Sequence, residues 1–272
     1  MPNPQAIPLV LVIGGHDPSG GAGIQADIEA IAAHSCQSMS VITALTTQNT
    51  CGVLRVVPQP AEYIDNQCRL LLEESEVAAV KLGLLGNAEI AITVNKLLDD
   101  FPHLQVILDP VLSVGYDGAK LVDAELQSII WDYLCPRCLL MTPNSPEARI
   151  LGGHGDLARC ADNIIVQGCA AVLVTGTHEL SSHVTNSLYS LTGLIQEYKW
   201  PRLSGGYHGS GCTLASAIAA NVALGCSITA AVEKAQIYTW NSLKYAIRKG
   251  KCQFIPNRLY VTNKTCASGF GR

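Results

Sequence analysis

Unbroken apolar runs and spaced apolar stripes alternate along this chain. Residues 9–13 (Leu-Val-Leu-Val-Ile) are rich in β-branched side chains, do not alternate with polar ones and stop at Gly14-Gly15. A strand buried on both faces of a parallel sheet has this pattern. Ile24, Ile28 and Ile31 then recur at i, i+4 and i+7, which marks one face of a helix. The same alternation predicts strands near 39–45, 77–82, 105–108, 139–142 and 171–175, with helices near 61–73, 88–99, 124–133 and 157–166. Strands and helices in turn imply an α/β fold, with a mostly parallel central sheet and helices on both faces. Beyond Thr175 the pattern changes. Residues 184–190 and 194–200 flank Leu191-Thr-Gly193 and predict a β-hairpin. Two helices close the chain, one over 211–224 stopping at Gly225, the other over 229–248. Ile237, Trp240, Leu243 and Ile247 are expected to form the packed face of the second.

Composition narrows the class. The chain has 272 residues, 48% of them hydrophobic and 15% charged, so it can bury a large core and disorder is excluded. With no internal repeat or linker, one domain over 1–272 is expected, its core spanning about 8–250. A net charge of −4 argues against a nucleic-acid partner. The N-terminus has no basic region, and no stretch reaches about 18 apolar residues, so no membrane partner is expected. The 11 cysteines are odd in number and scattered, which predicts reduced thiols and a cytoplasmic location.

Two glycine-rich loops carry candidate chemistry. The first, residues 14–23, follows the first strand, where open α/β sheets bind ligands. It is neither a Walker A loop nor G-x-G-x-x-G, and a tight strand-to-helix turn explains it equally well. The second, Tyr207-His-Gly-Ser-Gly-Cys-Thr213, precedes a predicted helix, and backbone N–H groups there form an anion site unless Ser210 is simply the N-cap. Cys212 falls in the first turn, where the helix dipole is expected to lower a thiol pKa. Cys135-Pro-Arg-Cys138 lacks the second pair that zinc would need. Asp109 ends a strand. Asn144 and Glu147 either cap a helix together or, with Asp109, supply hard oxygens for Mg²⁺.

Read together, several motifs are recognisable. Gly15-His-Asp-Pro-Ser-Gly-Gly-Ala-Gly-Ile-Gln-Ala-Asp27, Val41-Ile-Thr-Ala-Leu-Thr-Thr-Gln-Asn-Thr50 and Lys81-Leu-Gly-Leu-Leu85 come first. Leu108-Asp-Pro-Val111, Thr142-Pro-Asn-Ser-Pro-Glu-Ala148 and Gly209-Ser-Gly-Cys-Thr213 follow. In this order they resemble the bacterial hydroxymethylpyrimidine/phosphomethylpyrimidine kinases of thiamin biosynthesis. The resemblance implies a ribokinase-like three-layer fold, usually in a homodimer. It also implies phosphorylation, dependent on ATP and Mg²⁺, of 4-amino-5-hydroxymethyl-2-methylpyrimidine and then of its monophosphate. Carried over by motif, Gln48 would bind the aminopyrimidine edge, and Gly15, Ala22, Asp27, Leu84 and Val111 would line the substrate pocket. Gly209, Ser210 and Gly211 would form the anion hole, with Cys212 at the position of a catalytic base. Asp109 and Glu147 would hold the metal, and Asn144, Glu147, Thr175 and Gly176 would surround the nucleotide.

The chain departs from that family pattern twice. No lysine follows Thr175, where Gly176-Thr-His178 stands, and none lies in Ser113-Val-Gly-Tyr-Asp117. Both departures remove positive charge from the triphosphate site. Two other readings remain open: a pyridoxal/pyridoxine kinase, and a relative that binds the pyrimidine without turnover.

Overall fold

The computed structural model describes residues 7–114, 119–120 and 122–260. Its strands are β1 (Leu9–His16), β2 (Gln37–Asn49), β3 (Gly52–Pro58), β4 (Val77–Leu82), β5 (Val106–Leu108), β6 (Ser113–Val114), β7 (Ala119–Lys120), β8 (Leu140–Met141), β9 (Ala171–Thr175), β10 (His183–Ser190) and β11 (Gly193–Pro201). Its α-helices are α1 (Gly23–Ala32), α2 (Ala61–Glu74), α3 (Ala88–Asp100), α4 (Ala124–Ile129), α5 (Ser145–Gly152), α6 (Leu157–Val166), α7 (Ser210–Ala223) and α8 (Ile228–Lys244). Nine strands form one sheet in the order β11-β10-β9-β8-β5-β4-β1-β2-β3. The six from β9 to β2 are parallel, and antiparallel partners close both edges.

Successive side chains of a strand point to opposite faces, and β1 divides the core accordingly. Leu11 and Ile13 pack with Ile64 of α2, Ile90 and Val94 of α3 and Ile164 of α6. Val10 and Val12 pack with Ile24 and Ile31 of α1, Leu214 and Ile218 of α7 and Val232 of α8. The sheet therefore lies between two helical layers, as the strand–helix alternation predicts. Among the described residues, no helix is long and apolar enough to cross a membrane.

Several expectations need correction. β2 runs on to Asn49 and folds back as β3, an edge strand absent from the sequence reading. Leu54 and Arg55 of β3 both face outward, so the strand lacks the alternation that would reveal it. The helix expected over 124–133 ends early, relaxing into a π turn (Ile130–Leu134) and then a 3₁₀ turn at Pro136. On α8, Ile237 is 46% exposed and Ile247 lies beyond the helix end, so the expected stripe is not the packed face. Ala231, Val232, Ala235, Tyr238 and Ser242 are buried instead, and the two alanines let α8 pack closely against α7. The thiols are not all reduced either: Cys51, at the tip of the β2–β3 hairpin, is bonded to Cys252, with Cα atoms 4.9 Å apart. The hairpin tip and the segment after α8 meet in space, which the scatter of the cysteines along the chain does not show. The last dozen residues, which carry no hydrophobic periodicity, lie outside the described residues.

Helices α5 and α6 pack through Gly152. A Cβ there would lie 2.5 Å from Cys160 Cα and 2.7 Å from its carbonyl oxygen, and backbone cannot yield as a side chain does. Gly152→Ala is expected to cost about 1–3 kcal/mol through overpacking. The check is urea unfolding: the midpoint falls while the slope stays the same. An unchanged midpoint would show that the two helices separate freely.

Candidate active site

The two glycine loops lie against each other at the C-terminal ends of the parallel strands. Gly209 caps α7 with φ 77°, a left-handed conformation that favours glycine. A Cβ on it would lie 2.0 Å from the Gly21 carbonyl oxygen and 2.8 Å from Ala22 Cα. Gly23, at φ 60°, is equally confined, since a Cβ there would meet the Gly15 carbonyl at 2.3 Å.

Two polar clamps hold this contact. The Asp17 carboxylate accepts hydrogen bonds from Ser19 N at 2.8 Å, Ser19 Oγ at 2.9 Å and Ala22 N at 2.8 Å, all in the first loop. From the second loop, His208 Nε2 donates to the same carboxylate at 2.8 Å. Burial alone would raise the Asp17 pKa, but the bonds from His208 and Ser19 hold it at about 2. The second clamp is Arg258, 1% exposed. It donates to Thr213 Oγ1 in α7 at 2.8 Å, to the carbonyls of Gly20 and Gly21, and to Glu29 Oε2 at 3.0 Å. The sequence reading assigned neither clamp. His208 lies 191 residues from Asp17 in sequence, and Arg258 more than 230 from the glycines it holds.

Beneath the loops lies a pocket that collects every expected substrate residue: Gly15, Ala22, Asp27, Gln48, Leu84 and Val111. Cys212 also lines it, as do His208 and Lys81. A register shift in the β2–β3 ladder falls between Thr47 and Gln48, and such bulges re-aim a side chain. Lys81 is the residue that sequence reasoning should have found, because a lysine inside the apolar run of β4 needs a buried partner. Its Nζ lies 3.1 Å from both Asp27 oxygens and 4.0 Å from Asp109 Oδ2. Burial would lower its pKa, but Asp27, Cys212 and Asp109 together lift it above the ordinary lysine value. Asp27 also accepts from Ser216 Oγ of α7 at 2.7 Å.

Cys212 departs from expectation. Burial pushes its thiol up to about 12; Lys81 pulls it down, and the carboxylates of Asp109 and Asp27 add to the rise. Its thiol therefore stays protonated at neutral pH, despite the helix N-terminus. Ser210 is not the N-cap, since Gly209 takes that place. The first intrahelical bond runs from Thr213 N to the Gly209 carbonyl, which leaves the N–H groups of Ser210, Gly211 and Cys212 without an intrahelical acceptor.

On the far side of this turn lies a second pocket of about 370 Å³, lined in part by Thr175, Ser210, Gly211, Trp200 and Trp240. Among the expected nucleotide residues only Thr175 lines it. Gly176 is tucked under β10, its N–H donating to Asn186 Oδ1, and a Cβ on it would meet the Thr185 carbonyl at 2.2 Å. Asn144 and Glu147 line neither pocket. They form a capping box at the start of α5: Glu147 N donates to Asn144 Oδ1 at 3.0 Å, and Asn144 N to Glu147 Oε2 at 2.9 Å. Glu147 Oε1 accepts from Leu112 N at 3.3 Å, so each of its oxygens already takes one backbone hydrogen bond. Burial, with Asp109 nearby, pushes the Glu147 carboxyl up to about 8.

Asp109 remains as a hard-oxygen candidate. It is 6% exposed, burial raises its pKa, and its oxygens lie 3.6 and 3.7 Å from where a Gly211 Cβ would stand. No cluster of three metal-ligating side chains occurs among the described residues. The guanidinium of Arg202 borders the larger pocket near where a lysine was missing, donating to the carbonyls of Thr177, Glu179 and Ser181. The other departure from the family pattern falls at 113–117, and residues 115–118 lie outside the described residues.

The Asp17 clamp has a pH signature. Its carboxyl sits at about 2 when folded, below the ordinary aspartate value of 3.8. Its contribution is therefore full above pH 4 and is lost as pH falls through 2. Asp17→Asn should cost about 1–2 kcal/mol at pH 7, with the gap to the parent closing between about pH 4 and 2. Paired denaturant titrations across that range measure it; an equal gap at pH 2 would show that the carboxylate charge is not what holds the loops.

The chain matches the model of the family described as phosphomethylpyrimidine kinase over residues 17–257. It is 36% identical to the hydroxymethylpyrimidine/phosphomethylpyrimidine kinase of Synechococcus elongatus over 266 residues, 91% of this chain and 96% of that one. The Bacillus subtilis kinase of the same name is also 36% identical, covering 83% of this chain and 85% of its own. Other relatives are longer: the chain covers 47% of the bifunctional thiamine biosynthetic enzyme TH1 of Arabidopsis thaliana, to which it is 36% identical over 88% of its own length. Among solved structures, the phosphomethylpyrimidine kinase of Clostridium difficile 630 superposes with a TM-score of 0.75 at 32% identity, over 87% of this chain and 99% of that one. The Staphylococcus aureus pyridoxal kinase in complex with ADP superposes with a TM-score of 0.83 at 26% identity, over 94% and 95%. A superposing fold and matched sequence over most of the length lead to one conclusion: the chain belongs to the phosphomethylpyrimidine kinase family.

Proposed function

We propose that this chain transfers the γ-phosphoryl group of ATP to 4-amino-5-hydroxymethyl-2-methylpyrimidine and then to its monophosphate. One observation carries the reading. The six residues assigned to the pyrimidine share a pocket, and the first turn of α7 separates it from a second pocket large enough for a nucleotide. A relative of the same fold is known in complex with ADP.

In this reading the Gln48 carboxamide pairs with the aminopyrimidine edge, offering a donor and an acceptor to a ring nitrogen and an amino group. The hydroxymethyl group then faces the start of α7. The N–H groups of Ser210, Gly211 and Cys212 are fixed before the substrate arrives and stabilise the charge that develops on the phosphoryl group in flight. Lys81 offsets the charge of Asp27 and Asp109 and keeps both carboxylates in place. Asp109 suits Mg²⁺, which takes few carboxylates and fills its shell with water and phosphate oxygens. When bound, the ion would offset phosphate charge; Glu147 would hold the Asp109 side of the site in shape without touching the metal. The thiol of Cys212 positions the reacting groups and is not the base. A homodimer and a cytoplasmic setting belong to the same reading through the family resemblance alone.

A coupled assay with the hydroxymethylpyrimidine, its phosphate and pyridoxal tests the activity. ATP should be consumed with the first two, and no consumption with either would leave a binding protein. Gln48→Ala should raise KM for the pyrimidine about tenfold and leave KM for ATP unchanged, since one lost polar contact of this kind costs about 1–3 kcal/mol. Equal losses for both substrates would make Gln48 structural. Cys212→Ser should slow both phosphorylation steps by the same factor. A loss confined to the alcohol, whose proton must leave, would restore a base role to the thiol.

A further inference from the structure

The larger pocket is almost free of charged side chains. Among the described residues that line it, Arg202 is the only arginine, and no lysine, aspartate or glutamate joins it. Its guanidinium is held by backbone. Nε donates to the Ser181 carbonyl, Nη1 to that of Thr177 and Nη2 to that of Glu179, each at 2.8 Å. A guanidinium carries five N–H groups, so two stay unused, one on each Nη. No carboxylate among the described residues lies within ion-pair distance of it, and the Glu179 carboxylate is taken by Arg149 at 2.8 Å. The protein therefore fixes this cation in place and leaves its charge unmatched.

A second source of positive potential borders the same cavity. Ser210 and Gly211 line it, and their N–H groups, at the start of α7, have no intrahelical acceptor. Arg202 and Gly211 are exposed and Ser210 is half-buried, so a ligand can touch all three. The polyphosphate of ADP or ATP carries several negative charges and needs partners of this kind. Nη1 of Arg202 is bonded to Thr177, within the Gly176-Thr-His178 segment that holds no lysine. We propose that Arg202 is a phosphate-binding residue of this pocket: its two spare N–H groups donate to non-bridging oxygens of the polyphosphate, while the N–H groups of Ser210 and Gly211 take others. This rests on the reading of the pocket as the nucleotide site. The three carbonyls hold the guanidinium before the nucleotide arrives, so little side-chain freedom is lost on binding. The uncharged remainder of the lining is left to the nucleoside.

Calorimetric titration of the whole chain with adenosine, AMP, ADP and the non-hydrolysable analogue AMP-PCP, in magnesium-free buffer, tests this. Arg202→Gln should bind ADP and AMP-PCP about tenfold more weakly than the parent and adenosine equally well, because only the phosphates meet the guanidinium. Arg202→Lys keeps the charge without the planar fork and should recover part of that loss. Added salt should weaken ADP binding more on the parent than on Arg202→Gln. A role confined to holding the 177–181 loop would move all four ligands alike. A loss of the same factor for every ligand, adenosine included, therefore overturns the proposal, as does unchanged affinity for ADP and AMP-PCP; both outcomes leave the pocket a nucleotide site. If Arg202→Gln fails to fold, the same series on Arg202→Lys decides: a loss restricted to the phosphorylated ligands supports the proposal, and an equal loss overturns it. Failure of the parent protein to bind either ADP or AMP-PCP overturns the pocket reading and this proposal together.

Discussion

The approach of Gly209 to the backbone at Gly21 and Ala22 is the constraint on which the site depends. It brings the end of β1 and the start of α7 closer than any side chain would allow. The two pockets consequently share a wall only one helical turn thick. Backbone contact alone has no preferred register, and the polar groups supply it. Asp17 gathers donors from both loops, while Arg258 reaches in from the far end of the chain to carbonyls that face no other donor of comparable charge. Without these clamps the N–H groups at the start of α7 would have no fixed target.

Electrostatics beneath the loops follow from one buried cation. Asp27 lies within α1 and Asp109 just beyond β5, and two carboxylates in so dry a place would repel each other. Lys81 sits between them and stays charged because of them. Burial, with a smaller push from the same carboxylates, keeps the Cys212 thiol protonated, so the arrangement favours a site that works by orientation and charge compensation rather than by proton abstraction. Phosphoryl transfer, with its loose transition state, is suited to such a site.

Much of this was legible in the chain. Unalternated apolar runs revealed the parallel strands, and the glycine loops marked the ligand edge, because both signals are local. The motif residues of the pyrimidine pocket also came together as expected. What escaped had non-local causes. The roles of His208 and Arg258 depend on partners nearly 200 or more residues away. β3 is an exposed edge strand, with too little buried surface to impose a pattern. The stripe on α8 misled because Ile237 and Ile247 face outward, while alanines make the close contact with α7. Glu147 was ambiguous in the sequence, since a capping box and a carboxylate ligand use the same residue at the same spacing. The structure shows the capping box, with each oxygen taking a backbone hydrogen bond.

The bond between Cys51 and Cys252 spans 201 positions of sequence. It turns most of the polypeptide into a covalent ring that holds α2 to α8 and the wall between the two pockets. A single cut by a protease anywhere inside that ring produces no separate fragment: both pieces stay tethered, and the nick shows on a gel only after reduction. Outside the ring lie β1, α1 and the first glycine loop on one side and Arg258 on the other. The clamp between Arg258 and that loop is thus a non-covalent closure joining the two segments that the covalent ring leaves out.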